Sequence, residues 1–84
     1  MSRREKLLDR FRRKPRDFTW KELVALLEGL GYSEVSRGKT GGSRRRFVHE
    51  NAALISLHKP HPGNEVKIYQ VESVLETLSQ EGLI

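Results

Sequence analysis

The sequence predicts an α+β fold with the element order α-α-β-β-β-α, in which helices cover one face of a three-stranded antiparallel sheet. Three observations carry that prediction. Two stretches, 23–30 and 71–78, repeat leucine and valine at i, i+3, i+4 and i+7, the period of a helix with one apolar face. Between them, up to His58, the apolar period falls to two, which is the period of a half-buried strand. The connections within this middle part are too short for crossover helices, so its strands run as an antiparallel meander. A chain of 84 residues has material for one thin core. The expected organisation is therefore a single domain, 1–84, with a basic N-terminal helix and linker over 1–17 and an αβββα core over 18–84.

Each element has its own local cause. In residues 3–13, Leu7, Leu8 and Phe11 form a narrow apolar stripe among basic side chains. A helix this short holds only by docking through that stripe, and Pro15 ends it by disfavouring helical geometry at Lys14. The next helix opens on a capping box, Thr19 with Glu22 three residues later, and Phe18 can staple onto Leu23. Leu23, Leu26, Leu27 and Leu30 supply its buried face, and Gly31 closes it as a left-handed cap with Tyr32 folding back. Strands are expected at Glu34–Arg37, Arg44–Glu50 and Ala53–His58, with Gly38–Gly42 as a loop and Asn51 in a turn. In the second strand Arg45, Phe47 and His49 share one face, and Arg44, Arg46 and Val48 the other. In the third, Leu54, Ser56 and His58 oppose Ile55 and Leu57. Pro60, Pro62 and Gly63 make 59–66 a loop. The last helix runs from Ile68 to about Glu81, with Gly82 as its cap and Leu83 as the apolar contact of that cap.

The composition narrows the function. With no cysteine, disulfides and thiolate metal sites are excluded. No apolar run approaches the roughly 18 residues of a membrane span, and no secretory leader is evident, so a soluble cytoplasmic protein is expected. The net charge of +5 is unevenly spread. Residues 1–49 carry 14 Lys and Arg against 6 Asp and Glu, whereas 50–84 carry 2 against 5. A basic half facing a mildly acidic one points to a polyanion, because phosphate contacts release counterions and give affinity without reading sequence. The plainer reading is a solvated basic surface.

Chemistry concentrates between Arg37 and Lys67. The glycines of 38–42 allow close approach of the backbone to a ligand, and Arg44, Arg45 and Arg46, with Lys39, offer guanidinium and ammonium groups to phosphate. The alternative is a hairpin whose charged flanks resist edge-to-edge pairing. His49, His58 and His61 are the side chains suited to proton transfer near neutrality. No Cys and no nearby Asp completes a metal site around His58 and His61, so neither metal nor cofactor is expected. Lys59, and Lys67 at the start of the last helix, strengthen a phosphate-binding reading of this loop.

Three pieces of the chain resemble the HicA toxins of bacterial toxin–antitoxin pairs. They are Trp20-Lys21-Glu22-Leu23 through Leu30-Gly31-Tyr32; the Gly42-Ser43 pair before a short basic strand; and His61-Pro62-Gly63-Asn64-Glu65-Val66-Lys67, leading to a helix that ends Glu81-Gly82-Leu83-Ile84. They span about residues 19–84 in the family's order, and the helix closed by Pro15 is similar to that of a longer branch. The resemblance implies a fold like the double-stranded-RNA-binding domain. It also implies a metal-independent endoribonuclease that cuts messenger RNA and is neutralised by a HicB antitoxin. It adds Ser43 to the expected RNA contacts, Lys39, Arg44, Arg45, Arg46, Lys59 and Lys67. Family catalysis rests on a histidine directly after Gly-Ser, and here that position is Arg44, which stays protonated and cannot act as a general base.

Two expectations follow. Either His61 or His58 takes over proton transfer while the arginines stabilise phosphate charge, or the protein binds RNA, or only its antitoxin, without cutting. Losing general acid–base help altogether would forgo roughly 10²- to 10⁴-fold in rate. A third class, a protein-interaction module whose basic face meets an acidic partner, is separated from these by its failure to bind RNA.

Overall fold

The computed structural model describes residues 3–35 and 44–84. Within them the order is α1 (Arg3–Arg12), α2 (Trp20–Gly29), β1 (Ser33–Val35), β2 (Arg44–His49), β3 (Ala52–His58) and α3 (Ile68–Gln80). The expected Gly38–Gly42 loop lies outside the described residues.

Helix α2 starts and stops where its sequence signals stand. Thr19 Oγ1 accepts the Glu22 N–H at 3.2 Å, and Glu22 Oε1 accepts the Thr19 N–H at 2.9 Å, closing the capping box. At the other end the Gly31 N–H donates to Glu28 O and the Tyr32 N–H to Leu27 O, a Schellman turn with Gly31 at φ +101°. Helix α3 ends the same way: Gly82 is at φ +73° and the Leu83 N–H returns to Leu78 O. Glu81, expected as the last helical residue, is instead the cap residue after Gln80. At the end of α1, Lys14 adopts φ +54°, and its N–H closes on Phe11 O.

The sheet has the order β1-β2-β3 and is antiparallel throughout. His49 pairs with Ala52, so Glu50 and Asn51 form a two-residue turn. This is why β2 stops one residue sooner and β3 starts one residue earlier than the sequence pattern suggests. The register shifts between Phe47 and His49, where the ladder is irregular. The inner sheet face carries Phe47, Ile55 and Leu57, all buried, against Trp20, Leu23, Leu26 and Leu27 of α2 and Val71, Val74 and Leu78 of α3 in a single apolar cluster. Among the described residues, the side chains that alternate to the opposite face are exposed and no helix covers them.

Helix α1 joins the core through Phe11, which is fully buried with its ring 4.8 Å from that of Phe18. Arg4 and Arg10 of this helix, with Lys14 just beyond its end, are engaged at this docking. Arg10 reaches Glu22 at 2.9 Å and Asp17 at 2.8 Å and lies over the Phe18 ring, Arg4 donates to Gly29 O, and Lys14 meets Glu72 at 3.3 Å. Part of the positive charge counted in the first half of the chain therefore ties α1 to its neighbours.

Candidate functional site

The outer face of the sheet is built by register. Arg44 stands directly opposite His58, and Arg46 opposite Ser56, so all four side chains share the face that no helix covers. Val48 and Leu54, 38% and 54% exposed, extend that face toward the β2–β3 turn as an apolar end. Arg45 points the other way. Its Nε lies 3.5 Å from the Glu34 carboxylate of β1, beside Phe47, so it stands apart from Arg44 and Arg46.

A cleft of about 340 Å³ opens where β3 gives way to the loop and to α3. His58, Lys59, His61, Lys67 and Tyr69 line it, so His58 belongs both to the cleft and to the outer face. The loop is fixed from below. The Trp20 N–H donates to Asn64 O and the Val66 N–H to Phe18 O, each at 2.7 Å, and Val66 is buried. The start of α2 thus sets the height of the 61–67 segment. Lys67 caps α3 without a side-chain hydrogen bond, leaving the positive end of that helix uncapped beside the lysines. The predicted residues His58, His61, Lys59 and Lys67 come together here, with Arg44 across the strand pair and Arg46 further along the same face. Lys39 and Ser43 lie outside the described residues. Among the described residues, no three His, Cys, Asp or Glu side chains converge where a metal ion could sit.

His49, the remaining histidine, is taken up by structure. Its Nδ1 accepts the Asn51 N–H at 3.0 Å, leaving Nε2 to donate to Leu30 O at 3.1 Å, and its ring meets Tyr32 edge-on. Sequence reasoning overlooked Gln70. It is 5% exposed, and its amide bonds the main chain of His58 twice: the His58 N–H donates to Oε1 at 2.8 Å, and Nε2 donates to His58 O at 3.0 Å. The available signal was its spacing, four and eight residues before Val74 and Leu78, which sets a polar side chain on the buried stripe of α3.

Fold and site together define a small α+β protein with one helix-free, arginine-bearing sheet face and a histidine–lysine cleft at its end. Residues 20–80, well over half of the chain, match the family model of the HicA toxin of bacterial toxin–antitoxin systems. The chain belongs to that family. No curated protein and no solved structure gives a further match.

Proposed function

We propose that this protein is the toxin of a HicA/HicB-type pair, with a fold akin to the double-stranded-RNA-binding domain, and that it binds messenger RNA and cuts it without a metal. The observation that carries this reading is the Arg44–His58 pair, which sets an imidazole beside the position where the family's histidine would stand. His58 takes the proton from a ribose 2′-hydroxyl, and the 2′-oxygen attacks the adjacent phosphorus. The bond from phosphorus to the 5′-oxygen breaks, and that oxygen takes a proton from His61. The products are a 2′,3′-cyclic phosphate and a free 5′-hydroxyl. Arg44 and Arg46 stabilise the charge that builds on the phosphoryl oxygens, while Lys59 and Lys67, with Lys39 and Ser43, hold flanking phosphates. Arg45 contributes by bracing β2 against Glu34.

Incubation of the purified protein with messenger RNA in EDTA is expected to give fragments with cyclic phosphate ends. His58→Ala and His61→Ala are each expected to lower kcat by roughly 10²-fold or more. Intact RNA at stoichiometric protein would remove the catalytic reading.

One feature favours a second reading. Arg44 cannot accept a proton, and an arginine in that position suits a binder better than a nuclease. On this reading the protein retains RNA, with affinity that falls steeply with salt and no products, or it docks only a HicB-like antitoxin over the exposed Val48 and Leu54.

A further inference from the structure

We propose that Gln70 is a positioning residue for His58, acting as a one-residue substitute for the strand that β3 lacks on its open edge. The inference rests on the reading that His58 transfers a proton during RNA cleavage. Among the described residues β3 is an edge strand of the sheet, and His58 is its last residue before the loop. The end of an edge strand is where a ladder frays, because each residue has a partner on one side only. Gln70 removes that freedom. Its amide pairs with the N–H and the C=O of the same residue, as a neighbouring strand would. Among the described residues it is the one buried polar side chain, and both ends of its amide are engaged on His58.

The orientation of these bonds has a second consequence. Because the His58 N–H and C=O turn toward α3, they turn away from β2, and Arg44 and His58 form a non-hydrogen-bonded antiparallel pair. That is the pairing in which opposite side chains approach most closely, with Cα atoms about 4.5 Å apart. The clamp therefore fixes two things at once, the backbone of the proton-accepting residue and its nearness to the Arg44 guanidinium. A one-ångström misplacement of a reacting group can cost about 10²-fold in rate.

The test combines hydrogen exchange with a double-mutant cycle on the full chain. Gln70→Met keeps the length and apolar stem of the side chain and loses both hydrogen bonds. In the wild-type protein the His58 amide is expected to exchange slowly, and in Gln70→Met to exchange at the rate of an open edge. With messenger RNA as substrate, Gln70→Met is expected to lower kcat by between about 10- and 100-fold with KM within about twofold. In a His58→Ala background it should cause no further loss, since a residue that acts through His58 has nothing left to position. An equal fold-loss in both backgrounds would overturn the proposal and assign Gln70 a general structural role. Unchanged kcat with a deprotected His58 amide would overturn it as well. Should Gln70→Met not fold, Gln70→Glu, assayed at a pH where its carboxyl is ionised, keeps the acceptor for the His58 N–H and loses the donor to His58 O. Its expected kcat is intermediate, and wild-type kcat would refute the two-bond clamp. If the wild-type protein leaves RNA intact, the catalytic role falls together with the nuclease reading, whereas the exchange measurement separately decides whether the clamp exists.

Discussion

Tyr32, His49 and Gly31 lock the β2–β3 turn onto the end of α2, the first two through side-chain hydrogen bonds to main-chain carbonyls and the glycine by leaving room for the imidazole. The Tyr32 hydroxyl donates to Ala53 O at 2.8 Å, and burial, aided by the Glu81 carboxylate, pushes its pKa above the ordinary value of 10.0. A raised folded-state pKa means that the proton is held more tightly in the folded protein. The associated stability is fully present below the unfolded value and is lost as pH rises through the folded one. Tyr32→Phe is therefore expected to cost about 0.5–1.5 kcal/mol at neutral pH in urea unfolding. It should also lose less stability than the wild type on going to strongly alkaline pH. At Gly31, a Cβ would stand 2.7 Å from His49 Nε2 on a backbone at φ +101°. Gly31→Ala thus combines left-handed strain of roughly 1–2 kcal/mol with displacement of the His49–Leu30 hydrogen bond, and a lowered Tm checks it. These residues also mark where the sequence was and was not legible. The left-handed cap at Gly31 followed from local spacing, and strand alternation put His49 on the face of Phe47, but nothing local names the partner that engages His49. His49 is claimed by a carbonyl 19 residues away, and Gln70 by a main chain 12 residues away. Such roles arise only once the elements have packed.

At the scale of elements, the helices were the legible part because their caps are written in consecutive residues. The Thr19–Glu22 box and the Gly31 and Gly82 turns are all formed. Strand ends were less legible, because β2 and β3 are bounded by a pairing, His49 with Ala52, rather than by any residue's own preference. Helix α1 lies between these cases. Its sequence required docking for it to persist, and the docking partners Phe18, Asp17, Glu22 and Glu72 come from segments that the stripe of α1 does not reveal. The ion pairs are partly exposed and contribute little each, so the anchor is Phe11. Phe11→Ala is expected to destabilise the protein by about 3–5 kcal/mol. Marginal stabilities amount to only roughly 0.05–0.15 kcal/mol per residue, so this loss is a large share of the whole in a chain of 84 residues. Hydrogen exchange should show the α1 amides losing protection first, and an unchanged α1 in this variant would mean that the ion pairs, not the ring, hold the helix.

Across the whole molecule, the distribution of charge matters more than its sum. The net +5 of the chain reads as a polyanion-binding signal, yet Arg4, Arg10, Arg13 and Lys14 all contact acceptors or carboxylates within the protein. The exposed cations gathered on the outer sheet surface and the cleft are Arg44, Arg46, Lys59 and Lys67, whereas Arg3, Lys6, Arg12, Arg16 and Lys21 are exposed elsewhere. Two kinds of arginine therefore have opposite signatures. Each phosphate contact to a single strand contributes about 0.7 to the slope of log affinity against log salt. Arg44→Ala and Arg46→Ala are each expected to flatten that slope by about this amount while leaving Tm nearly unchanged, since both side chains stand on the exposed face. Arg10→Ala is expected to do the reverse, lowering Tm through the loss of Glu22, Asp17 and the Phe18 ring while the salt slope stays at the wild-type value. Filter binding to a messenger RNA fragment across a salt series, paired with thermal melts, measures both quantities on the same samples. A slope altered by Arg10→Ala and not by Arg44→Ala would move the nucleic-acid surface from the sheet to α1.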